Sequence, residues 1–317
     1  MLSRNLSAIA LCAAALAGQN HPDAIARLYS AASFWNQKIR ANPHIDSNSA
    51  AMIEAAILPY AARSAFANGD DWGIALVHAR AADKIYVVAC LQFYCNGPVS
   101  FRIPRGALPT TGSDHHLVVV DGDKELDMWN ATYDARNDRW SAGGRFVGDL
   151  YGWGANAPPG HHAGGAVAAG FSGMGGVVRP EEIAQGHIDH ALSMTIPHPR
   201  AGYVGPATAT DGTNPDPRSI PEGARIQLDP DYDVAAQSWP AWEKMLAKAL
   251  QTYGAYVSDN GGTVAFYGQT DANAGNEKWS TVGVPKNAYL ASLPWNRMRV
   301  LDLRAVPSYP GRRPQLP

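Results

Sequence analysis

Glu125 and Asp127 stand two residues apart in LVVVDGDKELDMW, residues 117 to 129. Residues two apart in a strand share one face. Neighbouring carboxylates can act together as general acid and base. Asp121-Gly122 separates two apolar-patterned runs and predicts a hairpin with those two residues as its loop. In that register Val120 faces Asp123, Val118 faces Glu125 and His116 faces Asp127. His116, Val118, Glu125, Asp127 and Trp129 then share one face, and Leu117, Val119, Leu126 and Met128 form a core face. An imidazole opposite a carboxylate holds one tautomer and gains basicity. The plain alternative is a solvated pair on a sheet face. A slip of one residue would separate the pair and turn it over.

His190 is the next candidate. In IDHALSMTI it falls on the alternation of Ile188, Leu192, Met194 and Ile196. A histidine on an apolar stripe is ordinarily a satisfied core residue; the functional reading puts it at the floor of a cleft, facing His116. His161 and His162 lie in a glycine-rich stretch and read as surface loop or as cover for such a cleft. Glu181 and Glu182 read as residues that favour a helix N-terminus. Gly170-Phe171-Ser172-Gly173-Met174 lacks the final glycine of a nucleophile elbow. The chain has no H-E-x-x-H and no P-loop.

The elements that must position these groups are mostly short strands. Ile85–Cys90, Val99–Ile103, the hairpin, Ile188–Ile196, Ile226–Leu228 and Val300–Leu303 read as strands. Ala255–Val257 and Val264–Tyr267 are expected to pair around Asn260-Gly261. Helices are expected at Ala24–Ser30, at Ser47–Leu58 up to Pro59, at Pro180 as one turn stopped by Gly186, and over Pro240–Tyr253, with Trp242, Met245, Leu246, Ala249 and Leu250 as its apolar stripe. Residues 141 to 176 are rich in glycine and aromatics without a period, and such long irregular stretches are often functional. The expected fold is mainly β: an antiparallel, jelly-roll-like β-sandwich core with a few peripheral helices and long loops.

Met1–Ala17 combines one positive charge, a short apolar run and a small-residue ending, the pattern of a secretory signal. Residues 18–70 then form a helical lead-in packed on a single β-rich domain, 71–317. Secretion or periplasmic location follows, and Cys90 and Cys95 read as one disulfide. A net charge of −2 without clustering argues against nucleic acid. After signal cleavage no membrane contact is expected, and the protein is taken as a monomer.

Glu125-Leu126-Asp127-Met128-Trp129 resembles the catalytic strand of concanavalin-like β-sandwich glycoside hydrolases, which carry E-x-D-x-x-E or E-x-D-x-E. The resemblance implies that Glu125 is the nucleophile and Asp127 its helper. The final Glu is missing, since Asn130 and Trp129 occupy the places where it would stand. The wider chain resembles secreted bacterial proteins, which lends no activity. The expected function is degradation of a polysaccharide or oligosaccharide, with a glycoside hydrolase favoured and no cofactor or resident metal. His116, Glu125, Asp127 and His190 are the catalytic candidates. Trp129, Asn130, Arg145, Tyr151 and Trp153 are the substrate-binding candidates, and Asp149 or Asp259 a second carboxylate. Three alternatives remain: a polysaccharide lyase with a histidine base and Arg145 or Asn130 neutralising the uronate, a metal-dependent hydrolase using His116, Asp127 and His190, and a non-catalytic carbohydrate-binding protein with aromatic platforms.

Overall fold

The computed structural model describes residues 27–95, 97–158, 160–273 and 278–304. The signal segment and the first residues of the Ala24–Ser30 helix lie outside them; Leu28–Ser30 is not helical. The strands are β1 (Ala65–Ala67), β2 (Leu76–His78), β3 (Ile85–Phe93), β4 (Val99–Arg102), β5 (Leu117–Asp121), β6 (Lys124–Trp129), β7 (Thr132–Asp134), β8 (Arg139–Asp149), β9 (Leu192–Ile196), β10 (Arg200–Tyr203), β11 (Pro221–Glu222), β12 (Arg225–Leu228), β13 (Ala255–Asn260), β14 (Ala265–Tyr267) and β15 (Met298–Val300). They form a six-stranded sheet in the order β1-β14-β9-β13-β12-β15, a seven-stranded sheet in the order β2-β5-β6-β8-β3-β4 with β7 beside β8, and a small pair, β10-β11. Strand makes up 30% of the chain and helix 14%, so the mainly-β, few-helix class expected from the sequence is the one observed.

Both large sheets are mixed rather than antiparallel, because β2–β5, β3–β8, β9–β13 and β1–β14 run parallel. Parallel neighbours need a long connection, and between β9 and β13 that connection includes the helix Ala241–Thr252. Its Trp242, Leu246, Ala249 and Leu250 pack on Leu192, Met194, Ile196 and Val257 of the six-stranded sheet. The expected β13–β14 hairpin does not form. β9 is inserted between them, parallel to β13 and antiparallel to β14. The Asn260-Gly261 turn therefore straddles a strand end, where the Gly261 N–H donates to Ile196 O at 3.0 Å. The Ser47–Leu58 helix breaks up as Pro59 approaches: one turn of α-helix at Ser49–Met52, a π turn at Ile53–Ile57, and a 3₁₀ stretch at Leu58–Arg63.

Alternation sets the two faces of each sheet. In β9, Leu192, Met194 and Ile196 join the helix-side core, while Ser193 and Thr195 turn the other way. In the seven-stranded sheet, Leu117, Val119, Leu126 and Met128 form an outer core with Val88, Phe101, Ile103 and Trp140. Val118, Val120, Glu125 and Asp127 sit on the opposite face. Val118 and Val120 there pack with Leu150, Met174 and Val177 of the long connection. This glycine-rich stretch is not a surface loop: Ala169–Val178 is buried throughout, while His161 and His162 are exposed. Glycine makes the passage possible, because a Cβ on Gly173 would lie 2.6 Å from Asp127 Oδ1 and 2.7 Å from Val118 Cγ2. Phe34 and Trp35 of the lead-in complete this layer with Trp153, Phe171 and Tyr256, in edge-on and tilted ring contacts.

Candidate functional site

The hairpin forms one residue away from the expected turn. Asp121 pairs with Lys124, so Gly122-Asp123 is the loop, with Gly122 at φ +63°. Glycine suits the first central position of a tight hairpin turn, where positive φ is needed. Val120 then faces Glu125 and Val118 faces Asp127, which corrects the expected pairing of His116 with Asp127. The pairing moves by two residues, an even number, so the face composition survives: Glu125 and Asp127 still point the same way.

That face is closed. Glu125 is 0% exposed and Asp127 1%. The Tyr29 hydroxyl donates to Glu125 at 3.0 Å from Oε1 and 3.2 Å from Oε2, and the Ser172 hydroxyl also bonds this carboxylate. Tyr29 holds a positive φ of 65°, a conformation a bulky residue adopts only under constraint. Its backbone N–H to Leu150 O and the Ser30 N–H to Gly152 O anchor it there. Asp127 Oδ2 accepts the Gly173 N–H at 2.8 Å, while Oδ1 is buried without a hydrogen-bond donor. Asp127 thus satisfies a backbone donor of the buried connection, as any chain passing through an interior demands.

Burial governs the protonation of this pair. It pushes Glu125 up to about 7, against the lowering effect of Tyr29, Ser172 and the Met174 N–H. Asp127 is raised well above the usual carboxylate range, by burial first and by the Glu125 charge second. Burial and both carboxylates raise the Tyr29 phenol, which therefore stays a proton donor. Two coupled carboxyl groups titrate as a unit, so near neutral pH the pair offers an acid and a base side by side.

His116 is buried beside them, its backbone N–H on Thr110 Oγ1 at 2.7 Å. Burial lowers its pKa, opposed by Asp114, so the ring is neutral. It lines a cavity of about 10 Å³ with Ser172, Gly173, Ser193, Asp259 and Tyr267, space for about one water molecule. Asp259 thus reaches the layer from the facing sheet. Asp149, the other suggested second carboxylate, is half-exposed and pairs with Lys124 at 3.4 Å.

His190 lies elsewhere. It precedes β9, off the apolar stripe, and its Nε2 meets Glu182 Oε1 at 3.0 Å while Nδ1 meets Ala191 O at 2.9 Å. With both ring nitrogens on acceptors, the imidazole is doubly protonated and has no lone pair free to act as a base. Burial lowers its pKa, but the Glu182 charge and hydrogen bond outweigh burial and raise it overall. Burial likewise raises Glu182, yet His190 and Arg179 bring it down to about 2. The one-turn helix Pro180–Gln185 forms as expected, with Gly186 as its left-handed stop. Its Glu182 does more than favour a helix end, since it anchors a buried ion pair. This pair lines a cleft of about 220 Å³ with Arg27, Tyr29, Arg179, His187 and Asp189. Tyr29 is the link between that cleft and Glu125.

The substrate-binding candidates are dispersed. Trp129 is half-buried, its Nε1 3.3 Å from Asp114 Oδ1 and its ring 5.9 Å from exposed Phe93. Asn130 turns the chain at φ +52°. Arg145 pairs in register with Met128, so it points away from Asp127; its guanidinium donates to Gly97 O. Tyr151 is exposed. Trp153 is not an exposed platform: it is buried against Phe34 with rings 5.1 Å apart, because the connection carrying it runs inside. The His116–Asp127–His190 metal set is not assembled. Among the described residues, the group of possible ligands that comes together is Asp211, Glu222 and Asp259. The Cys90–Cys95 disulfide is formed, and no helix among the described residues is long and apolar enough to cross a membrane.

Tyr29, Ser172 and Glu182 are the partners that sequence reasoning missed. Tyr29 is far in sequence from Glu125 and Ser172 sits in a stretch without periodicity, while Glu182 is only eight residues from His190 but across a turn that sequence spacing does not fix. No family model, curated protein or solved structure matches the chain, so its function is argued from its own residues.

Proposed function

We propose that the protein is an exported polysaccharide-degrading enzyme, a glycoside hydrolase in which Glu125 and Asp127 are the acid–base pair. The observation that carries this reading is the pair itself: two carboxyl groups on one strand face, buried, coupled, with Glu125 held near 7. A carboxylic acid kept protonated near neutral pH beside a second carboxyl group is how one site supplies both acid and base. In this reading Asp127, which burial and the Glu125 charge keep protonated, gives its proton to the departing glycosidic oxygen, and ionised Glu125 attacks the anomeric carbon, with water then releasing the sugar. The Tyr29 hydroxyl, donating to both Glu125 oxygens, orients this carboxylate and favours its ionised form. The half-buried ring of Trp129 and exposed Phe93, at the end of the same face, offer a stacking surface for a sugar. The reading carries a requirement: Ser172 and Gly173, which roof the carboxylates, must part to admit substrate. The cleft lined by Tyr29 gives such a route, since Tyr29 also bonds Glu125.

A second reading, a non-catalytic carbohydrate-binding protein, is favoured by the small size of the inner cavity and by the bond from the Gly173 N–H to Asp127. A screen of neutral and uronic polysaccharides separates the two. It measures reducing ends and 235-nm absorbance with wild type, Glu125→Gln and Asp127→Asn. Reducing ends without absorbance, lost in both folded variants, support the hydrolase. New absorbance replaces it with a lyase. Undiminished release in Glu125→Gln overturns the assignment, and binding without turnover by wild type favours the second reading.

A further inference from the structure

A second group of carboxylates gathers in the same inter-sheet layer, with Asp259 on the small cavity that His116 and Gly173 also line. Asp211 lies exposed in the connection between β10 and β11, Glu222 ends β11, and Asp259 sits on β13 where its register with β9 shifts. The Gly223 N–H to Val257 O bond, 2.8 Å, keeps β11 alongside β13. One oxygen from each of the three carboxylates lies within 4.8 Å of the others. None of the three is in an ion pair among the described residues.

Proximity of acids is not by itself a site, but Glu222 adds an independent observation. It is 0% exposed, and its Oε1 is buried with no hydrogen-bond donor, while Oε2 takes the Asp211 N–H at 3.3 Å. Asp259 is already oriented, with Oδ1 on the Asn260 N–H at 2.9 Å and Oδ2 on the Tyr267 hydroxyl at 3.3 Å. A buried carboxylate with one oxygen unbonded, beside two more carboxylates, lacks a positive charge.

We propose that Asp211, Glu222 and Asp259 bind a single calcium ion. The donors are all oxygen, which selects a hard cation over zinc or copper. Carboxylates brought together from a loop and two strands, with water completing the shell, suit the flexible six- to eight-oxygen coordination of calcium better than the strict octahedron of magnesium. Exposed Asp211 provides the entry side, where water completes the shell. The ion ties β11 and the connection before it to β13, an interior strand of the six-stranded sheet. None of the three carboxylates belongs to the Glu125–Asp127 pair, and the proposal does not depend on the hydrolase reading.

The test uses the full secreted chain, stripped with EGTA and dialysed, in calorimetric titrations and thermal melts with CaCl₂ and, separately, MgCl₂. The expected result is one calcium per chain with a Kd of about 0.1–1 mM. At 10 mM calcium the Tm should rise by about 4 °C. Glu222→Gln keeps the side-chain volume and removes the charge, so it should melt no lower than wild type in EGTA and lose the calcium response. Asp211→Asn, at the surface, should weaken binding at least tenfold and decides the matter if Glu222→Gln does not fold. No response in wild type, an undiminished response in either folded variant, or an equal Tm rise with magnesium overturns the proposal.

Discussion

Replacing Glu125 by Gln should stabilise the protein at neutral pH while abolishing turnover. Glu125 is fully buried and its pKa is raised from 4.5 to about 7. Between those values the native state holds a proton that the unfolded state has released. Stability therefore falls as pH rises through that window: full below about 4.5, lost above about 7. With 2.303RT near 1.36 kcal/mol, a rise of that size corresponds to about 3 kcal/mol. Gln stays neutral at every pH and accepts the Tyr29 hydroxyl through its amide oxygen. The stability difference between Glu125→Gln and wild type should thus shift by about 3 kcal/mol in favour of the variant between pH 4 and pH 8. Urea unfolding at closely spaced pH values measures this directly, and the corresponding Tm difference is about 6–10 °C. Asp127 titrates with Glu125, so Asp127→Asn should flatten part of the same slope. A difference independent of pH would mean that burial does not raise Glu125, and the acid–base pairing with Asp127 would fall with it.

Further outcomes follow from the same geometry. His190→Ala leaves Glu182 buried with only Arg179 and a backbone N–H, and should cost about 3 kcal/mol. The Glu182 contribution disappears as pH falls from 4.5 toward 2, and the His190 contribution disappears as pH rises above 6.5 through its raised value. The difference from wild type should therefore narrow at both extremes of a pH series of melts. Tyr29→Phe removes the donor to both Glu125 oxygens. It should cost about 1–3 kcal/mol and move the Glu125-dependent stability slope to higher pH. Gly173→Ala forces a methyl group against Asp127 and Val118 and should cost about 1–3 kcal/mol or more, read as a lower urea midpoint. Reducing Cys90–Cys95, a bridge spanning a sequence separation of 5, should cost only about 2 kcal/mol, because so short a loop has little closure entropy to lose.

Local chemistry made much of the protein readable without coordinates. The mainly-β class, the Ala241–Thr252 helix with its apolar stripe, the one-turn helix capped by Gly186, the disulfide and the shared face of Glu125 and Asp127 all depend on periods, caps and spacings internal to a short stretch. The face held even though the hairpin register moved, because side-chain alternation is insensitive to an even shift.

Tertiary structure decided everything that depends on distant partners. Whether Glu125 and Asp127 face water or an interior is not written in their alternation. It is set by the glycine-rich connection, which carries no period and runs beneath the hairpin because Gly173 has no side chain to exclude it. β9 divides β13 from β14 although Asn260-Gly261 is a sound hairpin signal, since a buried strand offers both of them more backbone partners than they offer each other. His190 finds Glu182 rather than His116, and Glu222 and Asp259 come together from strands far apart in the chain. Charge, unlike hydrophobic periodicity, is read over a few ångströms in any direction, and only the folded chain fixes which groups share that distance.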